Sequence, residues 1–260
     1  MAAGTVFLMY HELGRDGRPL CRPEEGYALY VVHENVFGQQ LDSLQRIGLR
    51  GASVSQALAG IDQSQVAITF DDGCETDLLI AAPHLKQRGW NATFFVTVGF
   101  LNQPGYMTPA QVRELGDLGF EIGSHSMTHP YLDELDEAGL KREIVESKLR
   151  LEEITGRAVQ HFSNPGGRSS PRSREIARSA GYLSVSGSRL GTNGERANRF
   201  DLTRIAILRT TPADQFEGII QGRGLRSAAW KQTARELVRK SLGNRAYDAI
   251  RGRILGDSSG

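Results

Sequence analysis

Short apolar runs rich in β-branched and aromatic residues alternate with amphipathic helical patterns along almost the whole chain. That alternation constrains the fold more than any single residue. Residues 5–10, 66–70, 92–98, 120–124, 159–162, 183–185 and 205–208 read as strands. Helical spacing fills the gaps over 35–47, with Phe37, Leu41, Leu44 and Ile47 on one face, and over 76–88 and 137–155, the last carrying Leu140, Ile144, Leu151 and Ile154. Further helices start after Ser170-Pro171 and Thr211-Pro212. Another start is sharply marked: Thr108 is an N-cap, Pro109 occupies the first helical position, Gln111 completes a capping box, and Val112, Leu115 and Leu118 face inward. Repeated β-then-α order requires parallel strands with helices outside them. At 260 residues the chain has the size of an α/β barrel. We therefore expect an α/β fold, a (β/α) barrel with fewer than eight units, over residues 1–225. The stretch 226–260 reads as a separate, basic helical extension.

Two motifs stand directly after predicted strands. Thr69-Phe70-Asp71-Asp72-Gly73 ends one strand in adjacent carboxylates, and His125-Ser126-Met127-Thr128-His129 follows another with paired imidazoles. In a parallel barrel, residues at the carboxyl ends of strands share one mouth. One carboxylate and two neutral imidazoles make a divalent-metal ligand set, and the second carboxylate is left to accept a proton from water. Spacing does not decide which aspartate does which. His11 follows the first strand and reaches the same mouth; its residue type suits a general acid, and equally a structural histidine bonded to a loop carbonyl. His33, His84 and His161 lack this placement and read as structural. The loop Ser163-Asn164-Pro165-Gly166-Gly167 ends a further strand and is poor in side chains. It reads either as a simple turn or as a place where a backbone N–H meets an oxyanion. Asn164, Pro165, Gly166 and Gly167, with Arg204, form the candidate substrate-contacting set; Arg204 alternatively orients the free carboxylate or lies on the surface.

The net charge of +1 gives no basis for nucleic acid as the main partner. Cys21 and Cys74 are too few and too oddly placed for a disulfide framework or a thiolate zinc site. No stretch reaches the ~18–20 apolar residues of a transmembrane helix, and no leader pattern opens the sequence, so a cytoplasmic protein is expected. The basic residues from Lys231 to Arg253 read as a solvated helix pair packed through Trp230, Leu237 and Leu242, or as a surface for anionic lipid or a biosynthetic partner.

Taken together, these residues resemble the polysaccharide deacetylase family (the NodB-homology domain, carbohydrate esterase family four). The resemblance runs over residues 6–220. It is carried by the two motifs above, with support from Ala92-Thr93-Phe94-Phe95-Val96, Phe120-Glu121-Ile122-Gly123-Ser124 and Met9-Tyr10-His11. It implies a distorted barrel of about seven units that removes N-acetyl groups from amino sugars with a divalent metal. By motif, Asp72, His125 and His129 correspond to the metal ligands and Asp71 to the base. His11 matches the acid of a branch that places it after an N-terminal strand. Many members brace the base with an arginine in the loop corresponding to 163–167; this chain lacks it there, and Arg204 is the expected stand-in. The late Leu-x-His motif is replaced by Ile207-Leu208-Arg209, and Cys74 stands where an aromatic residue is common.

The expected activity is hydrolysis of an acetamido group on an amino sugar of a polysaccharide or its precursor. Zinc suits the ligand set best, with Co, Ni, Mn or Fe able to serve. Two other readings stay open: a related amide hydrolase acting on a ureide, imide or small N-acyl compound, and a non-catalytic carbohydrate-binding or assembly protein.

Overall fold

The structure, a computed structural model, describes residues 4–60 and 64–223. The expected extension over 226–260 lies outside the described residues. Among the described residues ten strands form in chain order: β1 (Phe7–Tyr10), β2 (Leu13–Gly14), β3 (Val32–His33), β4 (Arg50–Ala52), β5 (Gln65–Phe70), β6 (Thr93–Val96), β7 (Glu121–Ser124), β8 (His161–Ser163), β9 (Ser184–Ser186) and β10 (Ile205–Ala206). The main sheet runs β10-β1-β5-β6-β7-β8-β9, with β4 paired to the start of β5, and every pairing is parallel. A parallel bridge from Ser186 to Leu202, three residues before β10, brings the two ends of this path together. The result is the expected distorted barrel with seven strands along its path. β2 and β3 form a small parallel pair of their own.

Side-chain alternation sorts each strand between two environments. Leu8, Tyr10, Ile68, Phe70 and Phe94 face the helical layer and pack with Phe37, Leu41, Leu44, Leu85, Val112, Leu115, Leu151 and Ile154. In register across three strands, Tyr10, Phe70 and Phe94 stack with ring centroids 5.3 and 5.0 Å apart. Phe7, Ala67 and Phe95 point the other way, into a narrow interior shared with Val54, Ala57 and Leu202. That interior leaves no room at Gly123. A Cβ there would lie 2.4 Å from the Phe95 ring and 3.1 Å from the His161 carbonyl. Gly123→Ala is therefore expected to cost about 1–3 kcal/mol by overpacking, read as a lower urea midpoint at unchanged m-value.

The helices match the sequence reading closely. Helix Glu34–Arg46 buries Phe37, Leu41 and Leu44, and Pro109–Asp117 carries the full Thr108–Gln111 capping box. Ile47 and Leu118, expected to face inward, are 37% and 38% exposed, because each lies just past the last turn of its helix. The expected helix over 137–155 is present but contains a π-helical segment, Arg142–Glu146; a second such segment, Asp77–Ala81, opens the helix after β5. Both segments bury an acidic side chain, Glu143 and Asp77. Strands β2, β3 and β4, at two or three residues each, escaped the sequence reading. Among the described residues no helix is long and apolar enough to cross a membrane.

Candidate metal centre and active site

β5 and β7 deliver their motifs to the same end of the sheet. Asp71 still follows the strand, its N–H donating to the Tyr10 carbonyl at 3.0 Å. Asp72 then adopts φ +82°, a left-handed conformation that is uncommon outside glycine, and Gly73 continues at φ +84°. Consecutive strand residues would point to opposite faces; the reversal at Asp72 lets both carboxylates enter one site. Ser126 and His129 also have positive φ, and the Ser126 hydroxyl accepts from the His129 N–H at 2.9 Å. The His-Ser-Met-Thr-His segment is thereby curled so that its histidine rings stand 4.9 Å apart.

Asp72 Oδ1 lies 3.5 Å from His125 Nε2 and 3.3 Å from His129 Nε2. These three ligand atoms fall within 4.8 Å of one another. Nδ1 of His125 donates to the Ser163 carbonyl at 2.9 Å, which fixes the tautomer and leaves Nε2 as a lone-pair donor. Burial pushes the His125 pKa down to about 4, so the ring is neutral at pH 7. Asp72 Oδ1 is buried and has no hydrogen-bond partner. Burial would raise the Asp72 carboxyl, but His129, His11 and His125 pull it below the usual carboxylate range. A buried carboxylate oxygen without a donor, facing two imidazole nitrogens, fits a divalent cation.

Asp71 has a different environment. Both its oxygens accept from Arg204, Nη1 to Oδ1 and Nη2 to Oδ2, each at 2.7 Å. Arg204 also donates from Nε to the Gly187 carbonyl (2.8 Å), from Nη1 to Thr69 Oγ1 (3.1 Å) and from Nη2 to Ser163 Oγ (2.7 Å). All five guanidinium N–H groups are thus engaged, and the residue is fully buried. This corrects the reading of Arg204 as a substrate contact: it has no donor left and no exposure. Burial would raise the Asp71 carboxyl; Arg204, with His125 and His11, overcomes that and holds it below the usual range. The two neighbouring aspartates therefore separate by partner, one clamped by arginine and one open to the imidazoles.

His11 reaches the same mouth, where Asp72, Asp71, Arg204 and His129 all act on it electrostatically. Its ring packs on Tyr30 at 4.7 Å and its Nδ1 is buried without a partner. Burial holds the His11 pKa below its ordinary value, against the pull of the two aspartates. The loop after β8 is more closed than expected. Asn164 is buried, with its side-chain amide and its backbone N–H both directed at the Ser186 carbonyl (3.3 and 3.0 Å), and Pro165 is buried beside it. These two therefore shape the loop, and Gly166 is its exposed point. At Gly167, φ +69°, a Cβ would collide with Ser188, so only glycine fits. The remaining histidines are structural, as expected: His33 caps helix Glu34–Arg46 by accepting from Asn35 N–H, His84 packs its ring edge-on against Phe37, and buried His161 pairs with Ser184 and Ser55 hydroxyls.

Two residues at the site went unread. Glu143 is fully buried, and its carboxylate accepts from the backbone N–H groups of Met127 (2.9 Å) and Thr128 (2.7 Å) and from the Thr128 hydroxyl (2.7 Å). It holds the segment between the two histidines. A signal existed: position 143 lies three residues after the inward Leu140, so its acid had to find donors inside. Glu143→Gln is expected to weaken divalent-metal affinity about 10–100-fold by loosening that segment, measured by competition with a chromogenic chelator on protein of native circular dichroism. Arg22 gave no such signal. From its loop it stacks over Phe100 at 4.6 Å, donates from Nε to the Tyr106 hydroxyl (2.8 Å), and places Nη2 3.6 Å from Asp72 Oδ2.

Comparison with known proteins agrees with this arrangement. The polysaccharide deacetylase family model matches residues 60–185, which include both motifs. A putative polysaccharide deacetylase of Bacillus subtilis, YxkH, is 26% identical over 69% of this chain and 63% of its own length. A peptidoglycan-N-acetylglucosamine deacetylase of Bacillus cereus is 33% identical over 46% of this chain and 54% of its own. The chain thus spans less than two thirds of these curated relatives. Among solved structures, the Streptococcus pyogenes deacetylase PplD in complex with acetate superposes with TM-score 0.74 at 23% identity, covering 85% of this chain and 99% of that one. IcaB from Ammonifex degensii gives 0.70 at 24%, over 85% and 98%. The superpositions confirm the barrel, and residues 60–185, both motifs included, are similar to the polysaccharide deacetylase family.

Proposed function

We propose that the protein is a metal-dependent hydrolase that removes N-acetyl groups from an amino sugar of a polysaccharide or its precursor. The observation that carries this reading is the division of the aspartate pair: Asp71 locked ionised by Arg204, Asp72 open beside His125 and His129. Asp72, His125 and His129 would hold a divalent ion, zinc suiting the donor set best, and the bound ion would supply Lewis acidity toward the acetyl carbonyl and the attacking water. Asp71 accepts the proton of that water as it attacks. The guanidinium of Arg204 keeps Asp71 charged and oriented through the step. Negative charge then develops on the former carbonyl oxygen, where a backbone N–H of Cys74 or Gly166 serves as donor. His11 gives a proton to the departing amine, completing cleavage of the amide.

The names of the relatives support an acetylated amino sugar as the substrate class, since those proteins are described as acting on peptidoglycan N-acetylglucosamine and on chitooligosaccharides. The test is acetate release by metal-replete protein across chitin oligomers, peptidoglycan fragments, and nucleotide- or lipid-linked N-acetylhexosamines. Turnover on at least one of them is the expected result. Silence on all of them with turnover of cyclic amides would assign the site to a different amide hydrolase; sugar binding without acetate release would assign a non-catalytic role.

A further inference from the structure

Beside the active-site mouth the fold assembles a second set of ligand-type side chains that the deacetylation chemistry does not use. Glu12 follows His11 directly, Cys21 lies in the next loop, and Cys74 comes right after the Asp-Asp-Gly turn. From the sequence the cysteines are too few and too oddly placed for a disulfide framework or a thiolate zinc site. In the structure one carboxylate oxygen of Glu12 and the two Sγ atoms nevertheless lie within 4.8 Å of one another. Glu12 and Cys74 are fully buried and Cys21 is half-buried in its loop. We propose that Glu12, Cys21 and Cys74 form a second metal site of the thiolate-bearing, zinc-binding kind, separate from the Asp72–His125–His129 centre.

Several features fit a cation there. Two sulfurs and a carboxylate are a donor set for zinc or cobalt and a poor one for magnesium or calcium. Glu12 accepts from Arg18 Nη1 at 2.7 Å and from the Cys21 N–H at 2.9 Å, so its orientation is fixed while lone pairs remain for a ligand. Tyr27 places its hydroxyl 3.3 Å from Cys74 Sγ, where the O–H can donate to a thiolate. Independently, Asp77, one helical turn beyond Cys74, has both carboxylate oxygens buried without any hydrogen-bond partner. Cys21 and Glu12 are among its electrostatic neighbours, and burial, with their charge, pushes its carboxyl up from the usual carboxylate range. Arg18, which pairs with Glu12 at 2.7 Å and with Glu75 at 2.6 Å, keeps a positive charge beside the cluster. On binding, each thiol releases its proton to solvent, that of Cys21 leaving its bond to the Gly105 carbonyl, and no atom is oxidised or reduced. The ion would tie the loop carrying Arg22 to the turn carrying Asp71 and Asp72.

The test is metal stoichiometry and spectroscopy on the full chain, kept reduced. His125→Ala/His129→Ala removes the first centre; this folded variant is expected to bind about one zinc per chain still, and with cobalt alone to show a thiolate-to-metal charge-transfer band. Adding Cys21→Ser abolishes that band, and zinc slows reaction of both thiols with a thiol reagent at least tenfold. In the otherwise wild-type chain, Cys21→Ser lowers bound zinc by one equivalent, a readout independent of whether the protein is a deacetylase. Absence of zinc from the folded double-histidine variant, a cobalt spectrum without the thiolate band, or unchanged stoichiometry in Cys21→Ser would each overturn the site. So would thiols that zinc fails to protect and that simply pair as a disulfide on oxidation.

Discussion

Replacing Arg204 by methionine is expected to destabilise the protein by about 3–5 kcal/mol and to abolish most of its hydrolytic activity. The size of the effect follows from what stays behind. Arg204 and Asp71 are both almost fully buried and share two hydrogen bonds of 2.7 Å. Without the guanidinium, the Asp71 carboxylate keeps only the Ser163 hydroxyl at 3.3 Å and must either remain an unpaired buried charge or take up a proton. Either outcome removes the proposed base. Thr69, Ser163 and the Gly187 carbonyl lose a partner as well. The sign of the pH dependence follows from linkage. Asp71 is held below its ordinary pKa, so the pair stabilises the fold above the unfolded carboxylate pKa, and that contribution is lost as pH falls through the folded value. The stability gap between wild type and Arg204→Met should therefore narrow in acid. Urea unfolding across pH measures it, and Asp71→Asn/Arg204→Met should recover much of the loss, because the stranded charge is gone.

The second large effect separates the two aspartates. Asp71→Asn removes the proton acceptor but leaves the Asp72, His125 and His129 ligand atoms in place, so metal binding should persist while turnover falls about 10²–10⁴-fold. Asp72→Asn replaces the oxygen shared by both imidazoles and should cost metal and turnover together. Neither substitution alters the apolar packing around Tyr10, Phe70 and Phe94, but Asp71→Asn strands the buried Arg204 charge and should lower the urea midpoint, so the two are compared where circular dichroism is native.

Much of this was legible in the order of residues because it is local. Strand runs, the Thr108 cap and the placement of Asp71, Asp72, His125 and His129 after strands all depend on neighbours a few positions away, and the barrel followed from their alternation. What escaped depends on contacts across the chain or on backbone angles. The separate surroundings of Asp71 and Asp72 need the positive φ at Asp72 and an arginine from 133 residues later. Family resemblance implied a base at Asp71 and a ligand at Asp72 without that geometry. Arg204 could be nominated but not placed: nothing near it shows that its five donors are spent. Arg22, Cys21 and Cys74 converge only because the loop after β2 folds across the turn after β5. Strand β4 was too short, and at Arg50 too exposed, for an alternation to show. Glu143 is the instructive omission, since its position on the inward helical face was visible and an acid there required an explanation.

The central claim is that neighbouring aspartates at the end of β5 do different work. Metal content and acetate release, measured side by side for Asp71→Asn and Asp72→Asn on a turned-over N-acetylated sugar, test it most directly. Asp71→Asn should keep its metal at the histidine centre and lose acetate release, whereas Asp72→Asn should lose both. An Asp71→Asn protein that still released acetate at the wild-type rate, or an Asp72→Asn protein that kept metal and activity, would contradict it.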